Sequence, residues 1–113
     1  MESESALVCF AALAQPTRLD AFRLLVRAEP GGLPAGELAR RLGVPQNTLS
    51  AHLNVLSHAR LVMSARNGRS VVYRADVSRL SALLRFMAED CCGGAGCASA
   101  ENLLLSTCEE TAK

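Results

Sequence analysis

At 113 residues, half of them apolar and with a net charge of +1, the chain reads as one domain of a size where a second copy often adds burial. No apolar run is long enough to cross a bilayer, and the acidic start Met1-Glu2-Ser3-Glu4-Ser5 lacks the basic-then-apolar order of an export signal, so a cytoplasmic protein without a membrane partner is expected. In that compartment the five cysteines read as metal-binding or redox thiols before they read as disulfides.

Ser3 or Ser5 is expected to cap a first helix that carries Leu7, Phe10, Ala11 and Ala14 at helical spacing. Gln15-Pro16 breaks it, and Pro16 suits the opening of a second helix through about Ala28, with Leu19, Phe22, Leu24, Leu25 and Val26 for a buried face. Glu29-Pro30-Gly31-Gly32 is a loop. A short helix follows over about Pro34 to Leu42, stopped by Gly43, and Pro45 suits the first turn of the next. In that next helix Leu49, Leu53 and Leu56 share one face, while Gln46, Asn47, Ser50, Ala51 and Asn54 share another. Two helices joined by so short a Gly-containing turn make a helix-turn-helix pattern.

The period then switches. Leu61 to Arg66 and Ser70 to Ala75 read as strands around Asn67-Gly68, a strong hairpin signal, and Arg66 and Arg69 make the tip cationic. Asp76 caps a further helix with Val77, Leu80, Leu83, Leu84 and Met87 on its apolar face, ending at Glu89-Asp90. Ser99 is expected to cap a last short helix through Leu103, Leu104 and Leu105. The fold class is therefore mainly α with a small β-hairpin wing, a winged helix-turn-helix. Residues 1–90 are expected to form a DNA-binding and dimerisation domain, and 91–113 a Cys-rich tail.

Charge agrees with a nucleic-acid partner. From Arg18 to Arg74 there are nine Arg and three acids, whereas the flanking stretches are net acidic. The second helix of the helix-turn-helix suits the major groove of double-stranded DNA. Gln46, Asn47 and Ser50 are the candidates for base edges, and Asn54, Arg66, Arg69 and Arg74 for phosphates. His52 and His58 read as surface or partly packed rings rather than ligands, and Cys9 as a buried residue of the first helix.

These stretches resemble the ArsR/SmtB family of metal- and metalloid-responsive repressors. The resemblance is carried by Ala14-Gln15-Pro16-Thr17-Arg18-Leu19, Glu37-Leu38-Ala39, Val44 through Leu56, Leu61-Val62, Arg66-Asn67-Gly68-Arg69 and Tyr73, and covers roughly residues 5 to 90. It implies a homodimer built from the first and last long helices, reading an operator of inverted-repeat symmetry. The chain departs from the family pattern at Ala51, where a His often follows the Ser of the recognition helix, and at Arg60, where a Gly is common.

The family's ligand sites differ among its members. The Cys-rich motif that many arsenic and cadmium/lead sensors carry on the third helix would fall near 37–41, where there is no Cys. The His and carboxylate ligands that others carry on the last long helix have no counterpart between Val77 and Ala88. Cys91-Cys92-Gly93-Gly94-Ala95-Gly96-Cys97 instead offers three soft thiolates on a glycine-rich turn, the number and softness that pyramidal As(III) or Sb(III) favours. Some family members resemble this chain in placing such a site just after the last long helix. The expected metal ligands are Cys91, Cys92 and Cys97, with As(III) or Sb(III) as inducer and no organic cofactor. Cys108 leaves open a four-thiolate zinc or cadmium site, and a redox or persulfide switch is a further alternative on the same fold. An enzyme such as a thiol-dependent arsenate reductase is not expected, because no Arg or Lys follows Cys91 before Lys113 to cradle an anion.

Overall fold

The protein was analysed as a computed structural model that describes residues 1–89. The expected helix after Ser99 and the division at residue 91 lie outside the described residues. The elements run α1 (Ser3–Leu13), α2 (Pro16–Arg27), β1 (Leu33–Pro34), α3 (Ala35–Leu42), α4 (Gln46–His58), β2 (Val62–Asn67), β3 (Ser70–Ala75) and α5 (Val77–Ala88). Among the described residues, five helices and one small antiparallel sheet bear out the winged helix-turn-helix. None of the described helices is long and apolar enough to cross a membrane.

Leucines are the largest side chains fully buried in the core. Leu25, Leu38, Leu49, Leu53, Leu56 and Leu61 are fully buried, and among the described residues no polar or charged side chain is buried with them. Helix α1 departs from expectation. Glu2, without a side-chain cap bond, precedes it in place of Ser3 or Ser5, and its inward face is Ala6, Cys9 and Ala12. These small side chains let α1 lie close against the leucines, which turns Leu7, Val8 and Phe10 outward, along with Ala11 and Ala14. In α2 the buried residues are Ala21, Phe22 and Leu25, and Leu19 is exposed. Gln15 caps that helix by accepting from the Arg18 amide at 2.8 Å, with Pro16 in the first turn.

The sheet has a third strand that the periodicity did not reveal. Leu33 pairs with Tyr73 and Pro34 with Val72, giving the order β1-β3-β2. Pro34 fits there because an edge strand can spare an N–H. Just before it, Gly32 (φ 77°) passes so close to β3 that a Cβ would stand 2.4 Å from the Tyr73 carbonyl oxygen.

Two helices end in the same hydrogen-bonded stop. After α3, Gly43 (φ 68°) donates to Arg40 O at 3.3 Å and Val44 to Ala39 O at 3.2 Å. After α4, Arg60 (φ 63°) takes the left-handed position, donating to Ser57 O at 3.0 Å, while Leu61 donates to Leu56 O at 3.0 Å. Pro45 lies one residue outside α4, as its N-cap, and not in its first turn.

The hairpin register pairs Asn67 with Ser70, so the two central turn residues are Gly68 and Arg69 and not Asn67-Gly68. Of these only Gly68 (φ 65°) is left-handed, as a turn with Gly at its first central position requires. Asp76 caps α5 as expected, accepting from the Arg79 amide at 3.1 Å. Leu83 faces the core, with Leu80 and Phe86 packed against it, and Ala88 is buried, while Val77 and Met87 are exposed.

Candidate nucleic-acid interface

Helix α4 is held from below and open above. Leu49, Leu53 and Leu56 each show no exposure, and this fixes Gln46, Asn47, Ser50, Ala51 and Asn54 on the solvent side. The side chain of Gln46 lies over the first turn of α3, its Oε1 3.9 Å from where a Cβ on Gly36 would sit. Asn47 Oδ1 accepts from the Thr48 amide at 3.0 Å, and Ser50 Oγ donates to Gln46 O at 3.0 Å. Both polar groups therefore rest on their own helix and need only a rotamer change to meet an external partner.

The wing divides its arginines. Arg66 lies beside the tip and Arg69 in the turn itself, and both are exposed. Arg74 stands near the base, opposite Met63, and its guanidinium grips Glu29 from the loop after α2, with Nη2 to Oε2 at 2.8 Å and Nε to Oε1 at 3.3 Å. Those hydrogen bonds, with the carboxylate's charge, raise the Arg74 pKa above its ordinary value. Its charge already has a partner, whereas among the described residues Arg66 and Arg69 have none. On α3, Arg40 and Arg41 converge on Glu37, with Arg40 Nη2 at 2.7 Å from Oε2 and Arg41 Nε at 3.1 Å from Oε1. Hydrogen bonds from the two arginines hold the Glu37 carboxyl below the usual carboxylate range.

Each imidazole has a hydrogen-bond partner. Arg18 Nη1 donates to His52 Nδ1 at 3.3 Å, and His58 Nδ1 donates to Asn54 O at 2.8 Å. Cys9 is buried as expected, its thiol 3.6 Å from the Ala59 carbonyl that also accepts from Arg79 Nε at 3.3 Å. Among the described residues no three His, Cys, Asp or Glu side chains come together as a metal site. Cys91, Cys92, Cys97 and Cys108 lie outside the described residues. Arg18, which periodicity did not single out, bonds to the Ala12 carbonyl at the end of α1 as well as to His52 on α4. The signal was its position just after a helix break, from which a long side chain can turn back on the helix before it.

The "Helix-turn-helix domain" family matches residues 13–65. The regulator NmtR of Mycobacterium tuberculosis is 38% identical over 73 residues, 65% of this chain and 58% of its own length, so the chain spans less than two thirds of that relative. An ArsR-like transcriptional regulator from Rhodococcus sp. RHA1 superposes with a TM-score of 0.69 at 28% identity, covering 97% of this chain and 94% of that one. The homodimeric winged helix-turn-helix DNA-binding domain Mb0332 from Mycobacterium bovis, described as a possible ArsR-family regulator, gives 0.61 at 31% identity, covering 77% and 81%.

The chain belongs to the ArsR/SmtB family.

As an ArsR-family winged helix it carries its two departures in different ways. Ala51 is simply exposed on α4, one methyl group where the family pattern often offers an imidazole. Arg60 has a structural consequence, because its position needs a positive φ and glycine meets that without cost. Within the ArsR-family frame the described chain thus presents a polar helix face placed by the leucines beneath it and a cationic hairpin tip placed by the pairing of β2 with β3.

Proposed function

We propose that this ArsR-family chain represses transcription by binding operator DNA as a homodimer, and that As(III) or Sb(III) held by Cys91, Cys92 and Cys97 releases it. The observation that carries the DNA-binding half is the exposed polar face of α4, pinned by three fully buried leucines. Such a helix fits a major groove about 12 Å wide, where Gln46 and Asn47 can pair bidentately with adenine and Ser50 can donate or accept. Asn54, Arg66 and Arg69 hold phosphates on either side, which sets register without reading sequence. Arg74 contributes by fixing the base of the wing through Glu29, and its own phosphate contact requires leaving that partner.

Dimerisation is supported by α1, whose outer face exposes Leu7 (66%), Val8 and Phe10, and by Met87 (62%) on α5. The homodimeric state of Mb0332 points the same way. The inducer half rests on donor chemistry: three soft thiolates within seven residues, beginning shortly after α5 ends at Ala88, match a soft three-coordinate ion. A coupling of about 1–3 kcal/mol between thiolate coordination and operator binding would lower operator affinity roughly 5–150-fold.

The test is a gel shift of the full chain on its own promoter, under reducing conditions, with a panel of thiophilic ions. Arsenite and antimonite are expected to release the wild type, whereas Cys91→Ser, Cys92→Ser and Cys97→Ser bind the promoter normally and stay bound when arsenite is added. Full release of the Cys97→Ser variant by arsenite would overturn the metalloid reading.

A further inference from the structure

We propose that Arg18 is a positioning residue for operator recognition, tying the recognition helix α4 to the end of α1; this rests on the DNA-binding reading above. Helix α1 ends at Leu13; the Ala11 carbonyl accepts from the Ala14 amide at 3.3 Å, but among the described residues no backbone amide donates to the Ala12 carbonyl. Arg18 supplies the donor. Its Nε donates to Ala12 O at 2.7 Å and its Nη2 reaches Ala11 O at 3.5 Å. The third nitrogen, Nη1, donates to His52 Nδ1 at 3.3 Å. Arginine has no acceptor, so this contact sets the His52 tautomer with its remaining proton on Nε2. Gln15, capping the Arg18 amide at 2.8 Å, fixes the turn from which the side chain emerges.

The location gives the tie its consequence. At 100° per residue, His52 stands on one edge of the buried leucine face of α4, and Gln46 stands on the other. Beyond the guanidinium the two helices part around an open, mostly apolar cleft of about 500 Å³ between Val8 and Ala11 on one side and Asn54, Val55 and His58 on the other. At this end polar bonds across a gap therefore help to set the angle between α1 and α4. On the dimer reading α1 is also a face that meets the second copy, so the angle fixes where each recognition helix points relative to the two-fold axis.

Base contacts need directed hydrogen bonds, whereas non-specific binding needs only charge near phosphates. Loosening the tie thus weakens operator binding and spares binding to random DNA. A lysine at position 18 keeps the charge but cannot reproduce a planar fork that serves three acceptors from three nitrogens.

The test measures affinity of the full chain for its own promoter and for random DNA across a salt series, with Arg18→Lys, His52→Ala, His52→Gln and the Arg18→Lys/His52→Ala pair. Arg18→Lys and His52→Ala are each expected to lower the promoter-to-random ratio about 10-fold with an unchanged salt slope on random DNA. His52→Gln, which keeps an acceptor, recovers part of the ratio, and the double variant is no worse than Arg18→Lys alone. A plain helix-cap role would lower the melting temperature and leave the ratio intact, and that result overturns the proposal. Additive losses in the double variant overturn it as well. If Arg18→Lys does not fold, His52→Ala carries the test alone, and a wild-type ratio in that variant decides against the tie. A wild type that does not distinguish its promoter from random DNA would instead remove the DNA-binding reading itself.

Discussion

Arg60 holds a left-handed backbone conformation that costs an L-residue roughly 1–2 kcal/mol relative to the right-handed one. It is kept there by the helix stop it completes, with both of its hydrogen bonds at 3.0 Å and Leu56 and Leu61 fully buried around them. Arg60→Gly is therefore expected to stabilise the protein by about 1 kcal/mol, after the added freedom of glycine in the unfolded chain is subtracted, as a higher midpoint in urea at unchanged slope. A lower midpoint would mean that the guanidinium does more than tolerate its position. The position was legible in the sequence as a place where the family pattern has Gly, but the φ was not, because nothing local to Arg encodes it. The Arg74–Glu29 pair was equally invisible, its members lying 45 residues apart and meeting only through the sheet. By contrast Leu49, Leu53 and Leu56 could be read directly, since a three-leucine stripe at helical spacing has one buried solution.

At the scale of elements, the wing is anchored by the loop that precedes β1. Gly32 lets that loop pass against β3, where a Cβ would meet Tyr73 O at 2.4 Å and Arg74 Cγ at 2.6 Å, and its φ of 77° disfavours any side chain. Gly32→Ala is expected to cost about 2 kcal/mol or more, seen as a lower melting temperature, and to loosen the β1–β3 pairing in amide hydrogen exchange. Protection of the Tyr73 amide as in the wild type would refute the anchoring. At the other end of the hairpin, replacing both Arg66 and Arg69 by Ala should reduce the salt slope of promoter binding by about two, one for each lost phosphate contact. An unchanged slope would take the wing tip off the DNA. Strand β1 escaped the sequence because two residues carry no periodicity, and the turn was placed one residue early because both Asn67-Gly68 and Gly68-Arg69 satisfy hairpin chemistry. The register that wins buries Val62 and Ala75 opposite each other, a choice made by the core and not by the turn.

For the whole molecule, apolar periodicity found α1 correctly and misjudged which way it faces. The helix has two apolar stripes: small Ala6, Cys9 and Ala12 meet this chain's core, and the larger Leu7, Val8 and Phe10 look outward. A sequence shows both stripes, but one chain's packing can absorb only the first. On the dimer reading the second stripe is covered by another copy, so the melting temperature is expected to rise as the protein is concentrated, and a Leu7→Glu variant should melt at one temperature whatever its concentration. A concentration-independent wild type would place that stripe outside any dimer.

The outward stripe also bears on abundance. When most of the protein is single chains, paired chains accumulate as the square of the total, so halving the amount of protein leaves about a quarter of the pairs able to span both halves of an operator. Leu7, Val8 and Phe10 would then make repression answer to dosage as well as to an inducer, switching on over a narrow interval of protein supply.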